Sequence, residues 1–134
     1  MKINLGGVCG TSHWRDDFLK KINRDDIEFY NPVVSEWKWT NETKEEKRAR
    51  ILSCDYLIYF LAPPMQGFSS VASVVDYSNK FPEKILFCYA IENEGESFTQ
   101  HQSESMKVVE DIVRENGGKV FSSLDEIADF VNKL

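Results

Sequence analysis

Hydrophobic and polar residues follow one another along the 134-residue chain in two kinds of segment: short apolar runs and longer stretches with helical spacing. The apolar runs are KINL (residues 2–5), IEFYN (27–31), YLIYFLA (56–62), KILFCYA (84–90) and KVF (119–121). Short apolar runs bounded by Gly, Pro or polar residues predict β-strands. YLIYFLA is nearly continuous in apolar residues, as expected of a central parallel strand that is buried on both faces.

The segments between these runs predict helices. They are residues 13–22, residues 42–54, the serine-rich segment after Met65, residues 103–116 and residues 123–134. Thr11 or Ser12 can cap the first helix, and Ser123 with Glu126 forms an S-x-x-E capping box for the last. Alternating strands and helices predict right-handed β-α-β units. We therefore expect an α/β fold, a three-layer sandwich with a mainly parallel five-stranded sheet.

Composition narrows the class of protein. A chain of 134 residues with 42% hydrophobic residues fits one globular domain, residues 1–134. The N-terminus lacks the pattern of a signal peptide and no apolar run approaches a membrane span, so we expect a cytoplasmic protein without membrane contact. The net charge of −6 disfavours a nucleic-acid polymer as partner, because such binding needs clustered Lys and Arg.

Cysteine and histidine give no sign of a metal site or of a bound cofactor. Cys9, Cys54 and Cys88 are widely spaced, without a C-x-x-C motif, and we predict reduced thiols in or near the core. His13 and His101 are isolated and are interpreted as ordinary polar residues.

Ligands of open α/β sheets bind outside the carboxyl ends of the strands, which places the candidate site in the segments after each strand. The first such segment, LGGVCGTSHWRDD, has glycines at 6, 7 and 10, without the G-x-G-x-x-G spacing of a dinucleotide fingerprint. Its backbone amides, with Thr11 and Ser12, can bind a phosphate or a ribose hydroxyl, and a purely structural turn is the alternative.

Several side chains near these strand ends have two interpretations each. Trp14 stacks on a base or lies in the core, and Arg15 contacts a ligand or belongs to a surface ion network. In FYNPVVSEWKW, Asn31 and Trp37 suit recognition of a planar heterocycle, whereas buried tryptophans that pin the loop are the alternative.

The segment after the third strand, MQGFSSVASVVDYSNK, offers hydroxyl groups where many enzymes have an acid. Its early helical turns contain Ser69, Ser70 and Ser73, and its first carboxylate is Asp76. A hydroxyl donates to a ribose or phosphate oxygen that a carboxylate would repel. The pattern therefore favours a pocket that binds a ligand over one that cleaves it.

Three blocks in this order resemble the nucleoside 2-deoxyribosyltransferase-like family in its short form. They are LGGVCGTSHWRDDF, FYNPVVSEW and CDYLIYFLAPPMQGFSSVASVVDYSNKFPEK, within roughly the first 90 residues. The resemblance implies a flavodoxin-like or Rossmann-like sheet and homo-oligomers in which a neighbour completes the site. It also implies a nucleoside-, nucleotide- or ADP-ribose-type ligand.

Enzymes of that family cleave the N-glycosidic bond with a glutamate nucleophile near the start of the helix after the third strand, helped by a second acid. The resemblance aligns Ser73 with the nucleophile and Gly67 with an acid position, so both are empty of carboxylates. Asp55, Asp76 and Glu46 remain as possible catalytic acids. The expected ligand-binding residues are Gly7, Cys9, Gly10, Thr11, Ser12, Trp14, Arg15, Asn31, Trp37, Asp55, Met65, Gly67, Phe68, Ser69, Ser70 and Ser73.

Two functions follow from the resemblance. As a binder, the protein holds an intact ligand, to sense or sequester it. As an enzyme, it is a nucleoside 2-deoxyribosyltransferase or N-glycoside hydrolase that uses Asp76 or Asp55. A carboxylate moved by one helical turn is displaced by several ångströms from the anomeric carbon, and a misplacement of even about 1 Å can cost roughly 100-fold in rate. We therefore favour the binder. Trp37, Trp39 and Phe98 are expected to be exposed, in keeping with a homo-oligomer.

Overall fold

A computed structural model describes residues 1–8, 13–31 and 41–134, without the side chains of residues 41–43. Its strands are β1 (Lys2–Gly7), β2 (Glu28–Tyr30), β3 (Tyr56–Leu61), β4 (Ile85–Tyr89), β5 (Glu92–Asn93), β6 (Glu96–Ser97) and β7 (Lys119–Val120). Five of them form one parallel sheet in the order β2-β1-β3-β4-β7, while β5 and β6 pair as an antiparallel hairpin. The order is that of flavodoxin-like sheets.

Helices cover both faces of the sheet. They are α1 (Trp14–Leu19), α2 (Asn41–Ser53), α3 (Ser69–Lys80), α4 (Gln100–Glu115) and α5 (Leu124–Asn132), with a 3₁₀ turn at Pro82–Lys84. Apolar residues of α1 and α5 share one core cluster with the sheet, and those of α2, α3 and α4 share the other. The predicted α/β three-layer sandwich with a parallel five-stranded sheet is confirmed.

β3 lies in the middle of the sheet, as its apolar run predicts. It pairs with β1 on one side and β4 on the other, and Leu57, Ile58, Phe60 and Leu61 are all buried. Its side chains alternate between the two core clusters, so both faces of the strand are covered.

Helix boundaries differ from the predictions where local hydrogen bonds decide them. α1 ends at Leu19, three residues before the predicted end. α4 begins at Gln100, three residues earlier than predicted, because Thr99 and Gln102 form a capping box. At α5 the Ser123 hydroxyl accepts from the Glu126 amide, as predicted, but the Glu126 carboxylate accepts from the Ser122 amide instead of that of Ser123.

The described cysteines are free and buried, as predicted for reduced thiols in the core. Burial raises the pKa of Cys54 and raises that of Cys88 to about 12. Both thiols are therefore protonated at neutral pH, which makes them poor nucleophiles. Cys9 lies outside the described residues. Within the described ranges, the helices are too short or too polar to cross a lipid bilayer.

Candidate functional site at the carboxyl edge of the sheet

The strand order reverses direction between β1 and β3, which are neighbours in the sheet. The chain goes from β1 outward to β2, then crosses over β1 to reach β3 and continues outward on the other side. Ligands of open α/β sheets bind at such a switch point, outside the carboxyl ends of the two strands. Here that place lies between Gly7 at the end of β1 and the β3–α3 connection.

The first turn of α3 is held against the end of β1. The Ser70 hydroxyl donates to the Gly7 carbonyl oxygen at 3.0 Å, and Met65 packs against both core clusters. Gly67 has open space around it, and the Phe68 ring is 75% exposed. The structure thus brings together Gly7, Met65, Gly67, Phe68, Ser69 and Ser70 of the predicted site.

The N-terminus of α3 has no side-chain cap. Phe68 occupies the N-cap position, and its carbonyl accepts from the amides of Val71 and Ala72. No acceptor for the Ser69 and Ser70 amides is found among residues 1–8, 13–31 and 41–134. Such amides, together with the positive end of the helix dipole, favour an anionic or strongly accepting group.

Trp14 and Arg15 are core residues at the start of α1, only 3% and 4% exposed. The Trp14 indole donates to the Val8 carbonyl at 3.0 Å. Arg15 donates from Nε to the Leu5 carbonyl at 2.9 Å and from Nη1 to the Val8 carbonyl at 2.8 Å. The guanidinium also lies over the Trp14 ring, 4.6 Å from its centroid. Trp14 thus fits the core interpretation, whereas the surface ion network considered for Arg15 is wrong.

A hairpin that the hydrophobic pattern does not predict joins this edge. The Asn93 side chain donates from Nδ2 to the Pro63 carbonyl at 3.0 Å, and Glu94 Oε1 accepts from the backbone amide of His13 at 2.8 Å. Glu94 and Gly95 have positive φ angles of 52° and 81°. Two such residues in succession are typical of a tight hairpin turn. The Glu-Gly pair is the feature of the sequence that could have indicated this turn.

Glu94 is the carboxylate that sequence reasoning missed at this edge. A non-glycine residue in the left-handed region is uncommon, and such conformations cluster at functional sites. Its carboxylate ties the hairpin to the residue before α1. The hairpin, the β1–α1 connection and the β3–α3 connection therefore meet at one edge of the sheet.

The other candidate acids lie away from this edge. Asp55 immediately precedes β3, so it is at the amino end of that strand, where its carboxylate accepts from the Lys2 amide at 2.8 Å. Glu46 is exposed on α2, two residues from Lys44 and Arg48, which face α3. Residues two apart do not share a helix face. The structure therefore does not bring Asp55 or Glu46 together with Ser70.

Ser73 and Asp76 line a groove between α2 and α3. The Asp76 carboxylate accepts from Lys80 Nζ at 2.9 Å. Beneath the groove, burial raises the pKa of the Tyr59 hydroxyl, and the nearby Ser73 hydroxyl partly opposes that rise. Ser73 therefore has a buried phenol as its neighbour, and no histidine interacts with it among the described residues.

Some predicted site residues lie outside the described residues, namely Cys9, Gly10, Thr11, Ser12 and Trp37. Trp39, one of the aromatics expected to be exposed, lies outside them too. Asn31, at the carboxyl end of β2, is exposed. Phe98, which we expected to be exposed, is half-buried against the core cluster of α2, α3 and α4, so that expectation is wrong.

Comparison with known proteins identifies the fold alone. No family model matches the chain, and no curated protein matches it. A solved structure of a conserved protein from Enterococcus faecalis V583 is similar over 99% of this chain and 98% of that one, with 15% identity and a TM-score of 0.66. A likeness of this kind concerns the arrangement of helices and strands, and function has to be argued from the site itself.

Proposed function

We propose that the carboxyl edge of the sheet is a nucleoside 2-deoxyribosyltransferase-like cleft that binds a nucleoside, nucleotide or ADP-ribose-type ligand. In this proposal the protein leaves the N-glycosidic bond intact, and it senses the ligand or withholds it from other proteins. The supporting observations are the resemblance of the three sequence blocks and the chemistry of the first turn of α3.

The first turn of α3 carries the proposal. It offers the Ser69 and Ser70 amides at a helix N-terminus, which have no acceptor in the part of the chain that the structure describes and suit a phosphate or ribose oxygen. The exposed Phe68 ring beside them is an apolar face on which a planar base can stack. The switch point thus combines polar donors with an aromatic surface, as recognition of a nucleoside requires.

The position of the acids favours binding over cleavage. A glycosyl transfer of the family type needs an ionised oxygen at the anomeric carbon, and Ser73 is neutral. Asp76 lies seven residues beyond the start of α3, about 10 Å along the helix at its usual rise, and is paired with Lys80. Glu94 is at the carboxyl edge of the sheet, but one of its carboxylate oxygens already accepts from the His13 amide.

Calorimetric titration with nucleosides, nucleotides and NAD-derived compounds tests the binding. We expect at least one compound to bind, and Phe68→Ala to weaken its binding about tenfold because the stacking face is lost. Val108→Ala is the matched control, since Val108 is an exposed apolar residue on α4. Folded protein that binds no compound of the panel would contradict the proposal.

A chromatographic assay separates binder from enzyme. We expect no release of base when the protein is incubated with deoxynucleosides and free bases, and intact ligand after denaturation of the complex. Ser73→Glu places a carboxylate at the aligned position and is expected to gain slow cleavage. Turnover by the unaltered protein that disappears in Asp76→Asn or Glu94→Gln would show that it is an enzyme.

We also propose that the protein forms a homo-oligomer in which a neighbour contributes to the cleft. Ile91, the second residue after β4, is 51% exposed at the same edge of the sheet as Phe68, which leaves apolar surface beside the proposed cleft. Light scattering at micromolar concentration is expected to give a mass that is a multiple of the 15.5 kDa chain. A monomeric mass under these conditions would exclude a shared site.

A further inference from the structure

A groove of about 530 Å³ lies between α2 and α3. On α3 its wall extends from Ala72 to Lys80, about 12 Å at the usual helical rise. The groove therefore continues well past the first turn of α3, where the proposed cleft lies. Its volume falls within the range of roughly 300–1,000 Å³ typical of sites for small molecules.

The groove is positively charged on a chain whose net charge is −6. Lys44, Lys47, Arg48 and Lys80 line it, and Asp76 is the single acid among the described residues of its lining. Asp76 is already paired with Lys80, and neither Lys44 nor Arg48 has an ion pair with another described residue. Since Lys44 and Arg48 are four residues apart, their like charges also oppose each other on the helix. An anion in the groove would relieve that repulsion.

Apolar side chains form the rest of the wall. Leu52 at the end of α2 is 51% exposed, and the Tyr77 and Phe81 rings stack with their centroids 6.3 Å apart. A half-exposed leucine beside paired rings is surface that a flat apolar group would cover. The groove thus combines an apolar wall with cations, and it suits a ligand that has both properties.

We propose that this groove is a second binding site, which takes a small anion with a flat apolar body, such as an aromatic sulfonate, carboxylate or phosphate. The concave shape and the volume favour a small molecule over an acidic polypeptide. The side chains that carry this proposal, on Lys44, Arg48, Leu52, Tyr77 and Phe81, are different from Phe68, Ser69 and Ser70, which carry the carboxyl-edge cleft. Ser73, the residue aligned with the family nucleophile, lines the groove as well.

Fluorescence titration with 8-anilinonaphthalene-1-sulfonate tests the proposal, together with its uncharged counterpart N-phenyl-1-naphthylamine. We expect Lys44→Gln/Arg48→Gln to raise the Kd of the sulfonate about tenfold and to change that of the neutral dye less than twofold. Added salt should weaken the binding of the sulfonate and leave that of the neutral dye unchanged. Backbone amide shifts in a ¹H–¹⁵N titration should concentrate in α2 and α3.

Two further variants keep the test independent of net charge and of folding. Lys119→Gln/Lys133→Gln removes the same charge from exposed positions that do not line the groove. It should leave the Kd of the sulfonate within twofold. Ala72→Trp fills the groove from an exposed helical position and should abolish binding of both dyes while the circular dichroism spectrum is kept. The proposal would be overturned if Lys44→Gln/Arg48→Gln and Lys119→Gln/Lys133→Gln lost the same affinity for the sulfonate, or if the amide shifts mapped outside α2 and α3. Displacement of the sulfonate by poly-glutamate but not by small aromatic anions would also overturn it.

Discussion

Replacement of Gly7 by alanine is expected to lower the free energy of unfolding by about 3 kcal/mol, a large effect for one added methyl group. Gly7 has a φ of +123°, a backbone conformation that residues with a side chain rarely adopt. A Cβ atom at this position would lie 2.1 Å from the Phe60 carbonyl oxygen and 2.7 Å from the Phe60 amide nitrogen. Both atoms belong to the neighbouring strand, so they cannot move without disturbing the sheet.

Urea denaturation followed by circular dichroism measures this effect, and Gly67→Ala is its matched control. Gly67 has a negative φ or an extended backbone, and a methyl group added there would have no atom within 4 Å. Its replacement should therefore change stability by less than about 0.5 kcal/mol. The same change at the end of β1 and in the β3–α3 connection thus separates backbone strain from loss of chain flexibility. A Gly7→Ala protein as stable as Gly67→Ala would contradict the argument.

The layers of this fold are predictable from the sequence because burial imposes the pattern from which they are inferred. YLIYFLA is continuous because β3 has a core on each of its faces, one with α1 and α5 and one with α2, α3 and α4. The amphipathic stretches likewise place Met106 and Val113 of α4 in the core. Strand and helix identities therefore follow from local patterns.

The hairpin at Glu92–Ser97 is not predictable in the same way. Its strands have only two residues each and are mostly exposed, so no apolar alternation marks them. Their position is determined by contacts with Pro63 and His13, which are distant in sequence. A segment held by such tertiary hydrogen bonds has the composition of an ordinary polar loop, and only the Glu-Gly pair indicates its turn.

The candidate acids show where sequence order is informative and where three-dimensional placement is needed. Asp55 precedes YLIYFLA, so the strand prediction itself places it at the amino end of β3 and away from the carboxyl edge. Asp76 lies on the predicted helix, yet its direction toward α2 and its pairing with Lys80 depend on how two helices pack. Helix packing of that kind has no short sequence signature.

Arg15→Met is expected to destabilise the protein by about 3 kcal/mol, although it exchanges a charged side chain for an apolar one of similar length. Arg15 is 4% exposed, and its guanidinium donates to the Leu5 and Val8 carbonyls. Without it the Leu5 carbonyl loses this donor, and the Val8 carbonyl loses one of two, since it still accepts from the Trp14 indole. Arg15→Lys should recover only part of the loss, because an ammonium lacks the planar fork that reaches two carbonyls.

Arg114→Met is the control for the charge itself, since Arg114 pairs with Glu110 on the surface of α4 and such pairs contribute less than about 1 kcal/mol. Urea denaturation of the three variants should therefore rank Arg114→Met, Arg15→Lys and Arg15→Met in order of increasing loss. If Arg15→Met were no less stable than Arg114→Met, the buried guanidinium would not be what holds the end of β1. Leu5 and Val8 belong to the segment that leads into the proposed cleft. If Arg15→Met remains folded, it should therefore also weaken the binding of a ligand in that cleft.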